Sequence, residues 1–221
     1  EKNNYFLPNF ENIQADEDLL NSFDVDNIKF ETLMWQTGYL TIKNQRESIR
    51  GMIYELDFPN KEVQISLMGA IADYITNNSQ MVTQLNNIYE YLSKRNTEGF
   101  EKELKVLYSS IANNNFTKNN IDRFEGYYAS VFYAYMKALG VDVQCEVATN
   151  RGRIDAVIKL PETIYIIEFK IDKKSSLDQI KAKKYYESFL NSTKTIILLG
   201  LEFSTKERNI ISMESMVIKK Q

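Results

Sequence analysis

Residues 152–170, GRIDAVIKLPETIYIIEFK, decide the reading of this chain. Leu160-Pro161-Glu162-Thr163 is a turn candidate, because proline is already set for the second position of a β-turn. The flanks, 153–160 and 163–170, are rich in β-branched and aromatic residues and read as the two strands of a hairpin. If the hairpin is symmetric about Pro161 and Glu162, opposed residue numbers sum to 323, and Asp155 faces Glu168. Side chains alternate along a strand, so Glu168 and Lys170 share a side. Ile154, Ala156 and Ile158 then fall on the other side with Tyr165, Ile167 and Phe169. A bulge or an asymmetric turn would shift this register.

Two carboxylates opposed across a ladder repel unless a cation lies between them. A hard cation such as Mg²⁺, or Mn²⁺ in its place, takes one or two carboxylates, waters and substrate phosphate oxygens. It can acidify a bound water and neutralise charge on a phosphate in the transition state. Lys170 on the same side can orient or help deprotonate the attacking water and stabilise developing negative charge. The competing reading is structural: Asp155 and Glu168 face solvent on a half-exposed sheet, with Lys170 as their salt-bridge partner. The hairpin alone leaves both open.

Outward from the hairpin, a helix is expected over 119–139, ending at Gly140. Ile121, Phe124, Tyr128, Phe132, Tyr135 and Leu139 form an apolar stripe of helical period, and Glu125 lies inside it. A carboxylate there is costly unless paired or metal-bound; a salt bridge to Arg153 and a role in the site are both open. After the hairpin, 176–191 reads as a second helix in which Gln179 aligns with Ala182, Tyr186 and Leu190 and so faces inward. Gln179 is either a satisfied core amide or a site residue, and Tyr185 and Tyr186 read as packing. Strand-like runs at 141–149 and 194–201, with an edge strand near 216–219, complete an α-β-β-β-α-β order. The expected fold class is α/β, a mixed sheet with helices on its faces.

The N-terminal half differs. Phe30–Gln36 reads as a short helix closed by Gly38, and 39–43 with 52–58 as a β-hairpin. Asn60, Ser79 and Thr97 are expected to cap three helices, 61–76, 80–94 and 98–112. The run Asn113-Asn114-Asn115 breaks the pattern. It divides the chain into 1–115, mostly helical with a small hairpin, and 116–221, the α/β part.

Composition narrows the chemistry. The 221 residues contain no histidine and one cysteine, Cys145. That removes Ser-His-Asp and Cys-His nucleophilic machinery, His-ligated zinc, a Cys₄ zinc site and an internal disulfide. Hydrolysis would have to rest on carboxylates, lysines, hydroxyls and a hard metal. The lone thiol fits a reducing cytoplasm. No apolar run reaches the ~18 residues of a membrane span, and no signal peptide is evident. The chain starts at Glu1 and is expected to be a trimmed piece of something longer. Net charge is -3, so no generic polyanion binder is indicated. The charge is uneven, however: residues 1–60 hold eleven acids and five bases, whereas 150–194 hold ten bases and six acids, a net of +4 around the hairpin.

At these residues the sequence resembles the PD-(D/E)XK nuclease superfamily. The resemblance rests on Gly152-Arg153-Ile154-Asp155 on one strand and Glu168-Phe169-Lys170 on the next, with Glu125 matching an acidic position on the first core helix and Gln179 a polar position after the motif. Ile154 stands where the motif has proline. The specific flavour resembles the nuclease domain at the C-terminus of bacterial AAA-ATPase-like proteins, and LMWQTGYLTIK with YELDFPNKEV resembles the tail of their ATPase-like part. The resemblance implies a restriction-endonuclease-like core and a Mg²⁺-dependent nuclease acting on DNA more than RNA. It implies Asp155, Glu168 and Glu125 as metal ligands, the Phe169 main-chain carbonyl as another, and Lys170 and Gln179 as catalytic partners. No G-x-x-x-x-G-K-[ST] loop is present, so ATP binding by that route is excluded and an ATPase core is expected upstream. The alternative is a catalytically inactive module of the same fold that binds nucleic acid or assembles with an ATPase. In a third reading residues 1–112 dock the nuclease part onto an ATPase or a second copy of the chain, a homodimer.

Overall fold

The computed structural model describes residues 13–21, 28–76, 80–111, 125–173 and 176–218. The chain opens with β1 (Ile13–Ala15), a single helical turn α1 (Asp18–Asn21), α2 (Phe30–Gln36), β2 (Thr41–Ser48) and β3 (Gly51–Asp57). β3 lies between β1 and β2, antiparallel to both. The expected hairpin is there, with its first strand continuing to Ser48. α2 ends as expected at Gly38, whose φ of +80° lets its amide donate to the Trp35 carbonyl while Tyr39 donates to Met34. Leu19, Met34, Leu40, Tyr54 and Leu56 make a small core of their own.

Three helices follow: α3 (Lys61–Thr76), α4 (Met81–Ser93) and α5 (Thr97–Ser109). Asn60 caps α3, its Oδ1 accepting from the Val63 amide at 2.9 Å. The α5 cap is Asn96, not Thr97: its Oδ1 accepts from the Gly99 amide at 2.9 Å, in line with the stronger N-cap preference of asparagine. Ser79 lies outside the described residues, and Gln80 in the cap position of α4 makes no side-chain cap bond.

α6 (Glu125–Ala138) closes at Gly140, φ +78°, with Gly140 donating to Lys137 and Val141 to Met136. Ile121 and Phe124 of the expected stripe lie outside the described residues. The remainder is no stripe, because every residue from 128 to 138 is buried. α6 packs against α3 on one side and against the sheet on the other, and a helix covered all round is apolar all round.

The main sheet comprises β4 (Asp142–Thr149), β5 (Gly152–Lys159), β6 (Thr163–Ile171), β7 (Thr195–Ser204) and β8 (Asn209–Ile218), in that spatial order. Only β6 and β7 are parallel. A parallel pair needs a crossover, supplied here by α7 (Ser176–Lys183) and a 3₁₀ turn, Tyr185–Phe189. Three expectations are corrected. The second helix stops at Lys183 rather than 191, because Lys184 is left-handed (φ 49°, ψ 41°). β7 continues past 201 to Ser204. The edge strand begins at Asn209, not near 216, and pairs with β7 throughout, its turn held by Asp172, which accepts from the Thr205 amide at 3.0 Å and hydroxyl at 2.7 Å.

The sheet has two unequal faces. On one, Ala156, Ile158, Tyr165, Ile167, Phe169, Leu199 and Leu201 pack with α3–α6 in a large core. On the other, Val157, Ile164, Ile166, Ile196 and Leu198 meet Leu177, Ile180 and Tyr185 of the crossover. α3–α5 and the main sheet share the large core.

Candidate active site

The hairpin register is the symmetric one, from Lys159↔Ile164 to Ala156↔Ile167. Backbone pairing stops there, one step short of Asp155 and Glu168. In its place the Asp155 side chain acts as the acceptor: its Oδ2 takes the Phe169 amide proton at 2.7 Å. The carboxylate is thereby aimed across the gap rather than outward. The alternation also changes phase here. Cys145 and Ala156 pack in the large core, but Val147 and Ile154, two residues on, pack in the smaller one. Glu146, between Cys145 and Val147, has φ 55°, an interruption of the β conformation. Ile154 is thus corrected from the large face to the small one.

Glu168 is 1 % exposed, so the reading that placed it in solvent does not hold for this residue. The salt bridge that reading invoked does exist: Lys170 Nζ lies 3.1 Å from Glu168 Oε1. Gln179 Nε2 donates to the same oxygen. A buried carboxylate costs several kcal/mol of desolvation unless paired and hydrogen-bonded, and Oε1 meets both conditions. Between the two charged residues, Phe169 points the other way and stacks edge-on against Phe132 and Phe203, centroids 5.4 and 5.9 Å apart. That wedge anchors the strand end carrying Glu168 and Lys170.

Gln179 reaches Glu168 because α7 comes very close to the sheet. Glu168 pairs with Gly200 on β7. A Cβ on Gly200 would lie 2.4 Å from Ser176 Oγ and 2.5 Å from the Leu177 amide nitrogen, so only glycine admits the first turn of α7 there. The stripe used to turn Gln179 inward is not observed, since Ala182 and Leu190 are exposed. The inward residues of α7 are Leu177 and Ile180, with Gln179 half-buried beside them.

Tyr185 is a neighbour of the site that sequence reasoning set aside as packing. On a straight helix it would lie about 240° round from Gln179, at ~100° per residue. The left-handed Lys184 undoes that geometry and turns the ring back towards the carboxylates. A Cβ at Gly152 would lie 2.9 Å from the Tyr185 hydroxyl, and Gly152 has φ +137°. Burial pushes the hydroxyl up from its ordinary pKa, the Glu168 carboxylate adds to this, and a hydrogen bond from Gln179 pulls against it. At neutral pH it is an uncharged hydroxyl. The sequence signal was the glycine at the hairpin tip, which becomes informative only once its opposite number is known.

Glu125 opens α6, and its side chain lies outside the described residues. Arg153, its proposed salt-bridge partner, hydrogen-bonds Glu146. Among the described residues no group of three His, Cys, Asp or Glu side chains gathers that could hold a metal. The donors present, Asp155 and Glu168, are hard carboxylate oxygens in the number that Mg²⁺ takes from protein when waters and phosphate complete its shell. The donor set fits such an ion.

A family model of the PD-(D/E)XK nuclease superfamily matches residues 123–213, which include every residue of this site. The mixed sheet with helices on both faces agrees with that match. An uncharacterized protein in the vnfD 5' region of Azotobacter chroococcum mcd 1 is 36 % identical over 211 residues, covering 93 % of this chain and 41 % of that protein. The chain therefore spans about two fifths of that relative's length. No solved structure matches. No helix among the described residues is long and apolar enough to cross a membrane.

Proposed function

We propose that this chain is a metal-dependent nuclease that hydrolyses phosphodiester bonds, in DNA more readily than in RNA. The observation that carries the reading is the buried Glu168 carboxylate, held by Lys170 and Gln179 beside an Asp155 whose orientation is set by the Phe169 amide. A protein has little structural reason to bury a carboxylate beside a gap in a ladder, and the superfamily match covers these residues.

In this reading Asp155, Glu168, the Phe169 carbonyl and Glu125 hold Mg²⁺ or Mn²⁺, which when bound supplies Lewis-acid stabilisation of the phosphate and a more acidic water. Lys170 Nζ, already within 3.1 Å of Glu168, orients the attacking water and offsets negative charge that develops on the phosphate. Gln179 holds the Glu168 carboxylate while that charge shifts. The excess of bases over acids in 150–194 suits a phosphate backbone. The AAA-ATPase-like context suggested by residues 33–63 is part of the same proposal, and the greater length of the Azotobacter relative leaves room for such a region.

The test is a substrate panel. The full chain is incubated with supercoiled plasmid, single-stranded DNA and RNA in Mg²⁺ or Mn²⁺, and in excess chelator. The reading expects metal-dependent cleavage with DNA cut faster than RNA. Cleavage that survives the chelator, or none of any substrate with either metal, contradicts it and favours the non-catalytic module.

A further inference from the structure

The β5–β6 ladder ends at Ala156↔Ile167, before the two carboxylates. Beyond that point the spacing of Asp155 and Glu168 must be held by side chains. The Asp155–Phe169 bond is one such tie. The other runs through Tyr185. We infer that Tyr185 is a positioning residue whose hydroxyl fixes the separation of the two carboxylates, gripping the β5 tip at Gly152 on one side and Gln179, with Glu168 behind it, on the other. This rests on the reading that Asp155 and Glu168 take a divalent cation.

Three observations converge. Gly152, three residues before Asp155 on the same strand, has the positive φ and the missing Cβ that bring its backbone against the hydroxyl. Gln179 donates to Glu168 Oε1 and lies beside that hydroxyl, close enough to act on it. The ring packs among Ile154, Ile180 and Ile166, so its direction is set by the core rather than by solvent. Two residues on, Glu187 meets Arg151 at 3.2 Å and holds the same hairpin tip from outside, an exposed pair of small energetic weight. Groups that orient a metal ligand typically change metal affinity or activity 10–100-fold when removed.

Tyr185→Phe keeps the ring and deletes the hydroxyl, which separates positioning from packing. Calorimetric titration of the full chain with Mn²⁺ is expected to show the dissociation constant raised about tenfold or more. The metal-free melting temperature should move by no more than about 4 °C. Tyr186→Phe, next in the chain and only half-buried, should bind as wild type does. In plasmid cleavage, Tyr185→Phe should need more Mn²⁺ but reach within about threefold of the wild-type rate when saturated. Equal Mn²⁺ affinity in wild type and Tyr185→Phe overturns the inference, and so does a rate that stays more than about tenfold down at saturating metal. If wild type itself takes up no Mn²⁺, the cation reading of the site is what fails, and this inference fails with it.

Discussion

The two faces of the main sheet are made of the same strands and serve different ends. The face covered by α3–α6 is an aromatic core in which Phe132, Phe169, Phe203, Tyr108 and Tyr128 interlock, with almost no charge. The face covered by α7 is thinner, admits its helix only because residue 200 is glycine, and buries a carboxylate at its rim. Alternation along β6 divides the labour residue by residue: Phe169 goes to the first face, Glu168 and Lys170 to the second. One face provides the stability that lets the other carry a costly charged cluster.

The comparison can be broken from either side. The largest expected effect on folding is Phe132→Ala, which empties a fully buried aromatic site on the thick face and should cost about 3–5 kcal/mol by denaturant unfolding. Next is Gly200→Ala, which drives a methyl into the Leu177 backbone. It should cost about 1–3 kcal/mol and, by lifting α7, loosen Gln179 from Glu168. Glu168→Gln is the informative contrast. It removes the buried charge but keeps hydrogen-bonding capacity, and Lys170, 19 % exposed, can turn towards water. Its metal-free stability should stay within about 1 kcal/mol of wild type while metal-induced stabilisation disappears, read by melting with and without Mn²⁺. A loss of several kcal/mol there would mean the triad holds the fold together rather than spending stability on function. Smallest is Arg151→Ala, whose exposed bridge to Glu187 should be worth no more than about 0.5 kcal/mol.

Much of this is legible in the amino-acid sequence. The Pro161–Glu162 turn set the register, because a short loop between β-branched strands leaves few alternatives and a one-residue slip would bury the wrong face. Gly140, Gly38 and Asn60 marked helix ends by chemistry that acts locally. Illegible were the features set by tertiary contact. Nothing in KAKKYYESF announces a left-handed Lys184, so the break in the crossover and the arrival of Tyr185 at the site were hidden. The turn at 205–208 contains neither glycine nor proline and is held by Asp172, just past the end of β6, so no local signal marks the start of β8. The burial of Glu168 could not be seen either, because it depends on how closely α7 approaches Gly200, a distance no local pattern encodes.

The most direct test of the central claim compares plasmid cleavage by wild type, Asp155→Ala and Lys170→Ala in Mg²⁺ or Mn²⁺, with folding of each confirmed by circular dichroism. The account predicts that both variants fold and that each loses about 10²-fold or more of the wild-type rate. Rates within about threefold of wild type in both would contradict it, and would assign the Asp155, Glu168 and Lys170 cluster to structure alone.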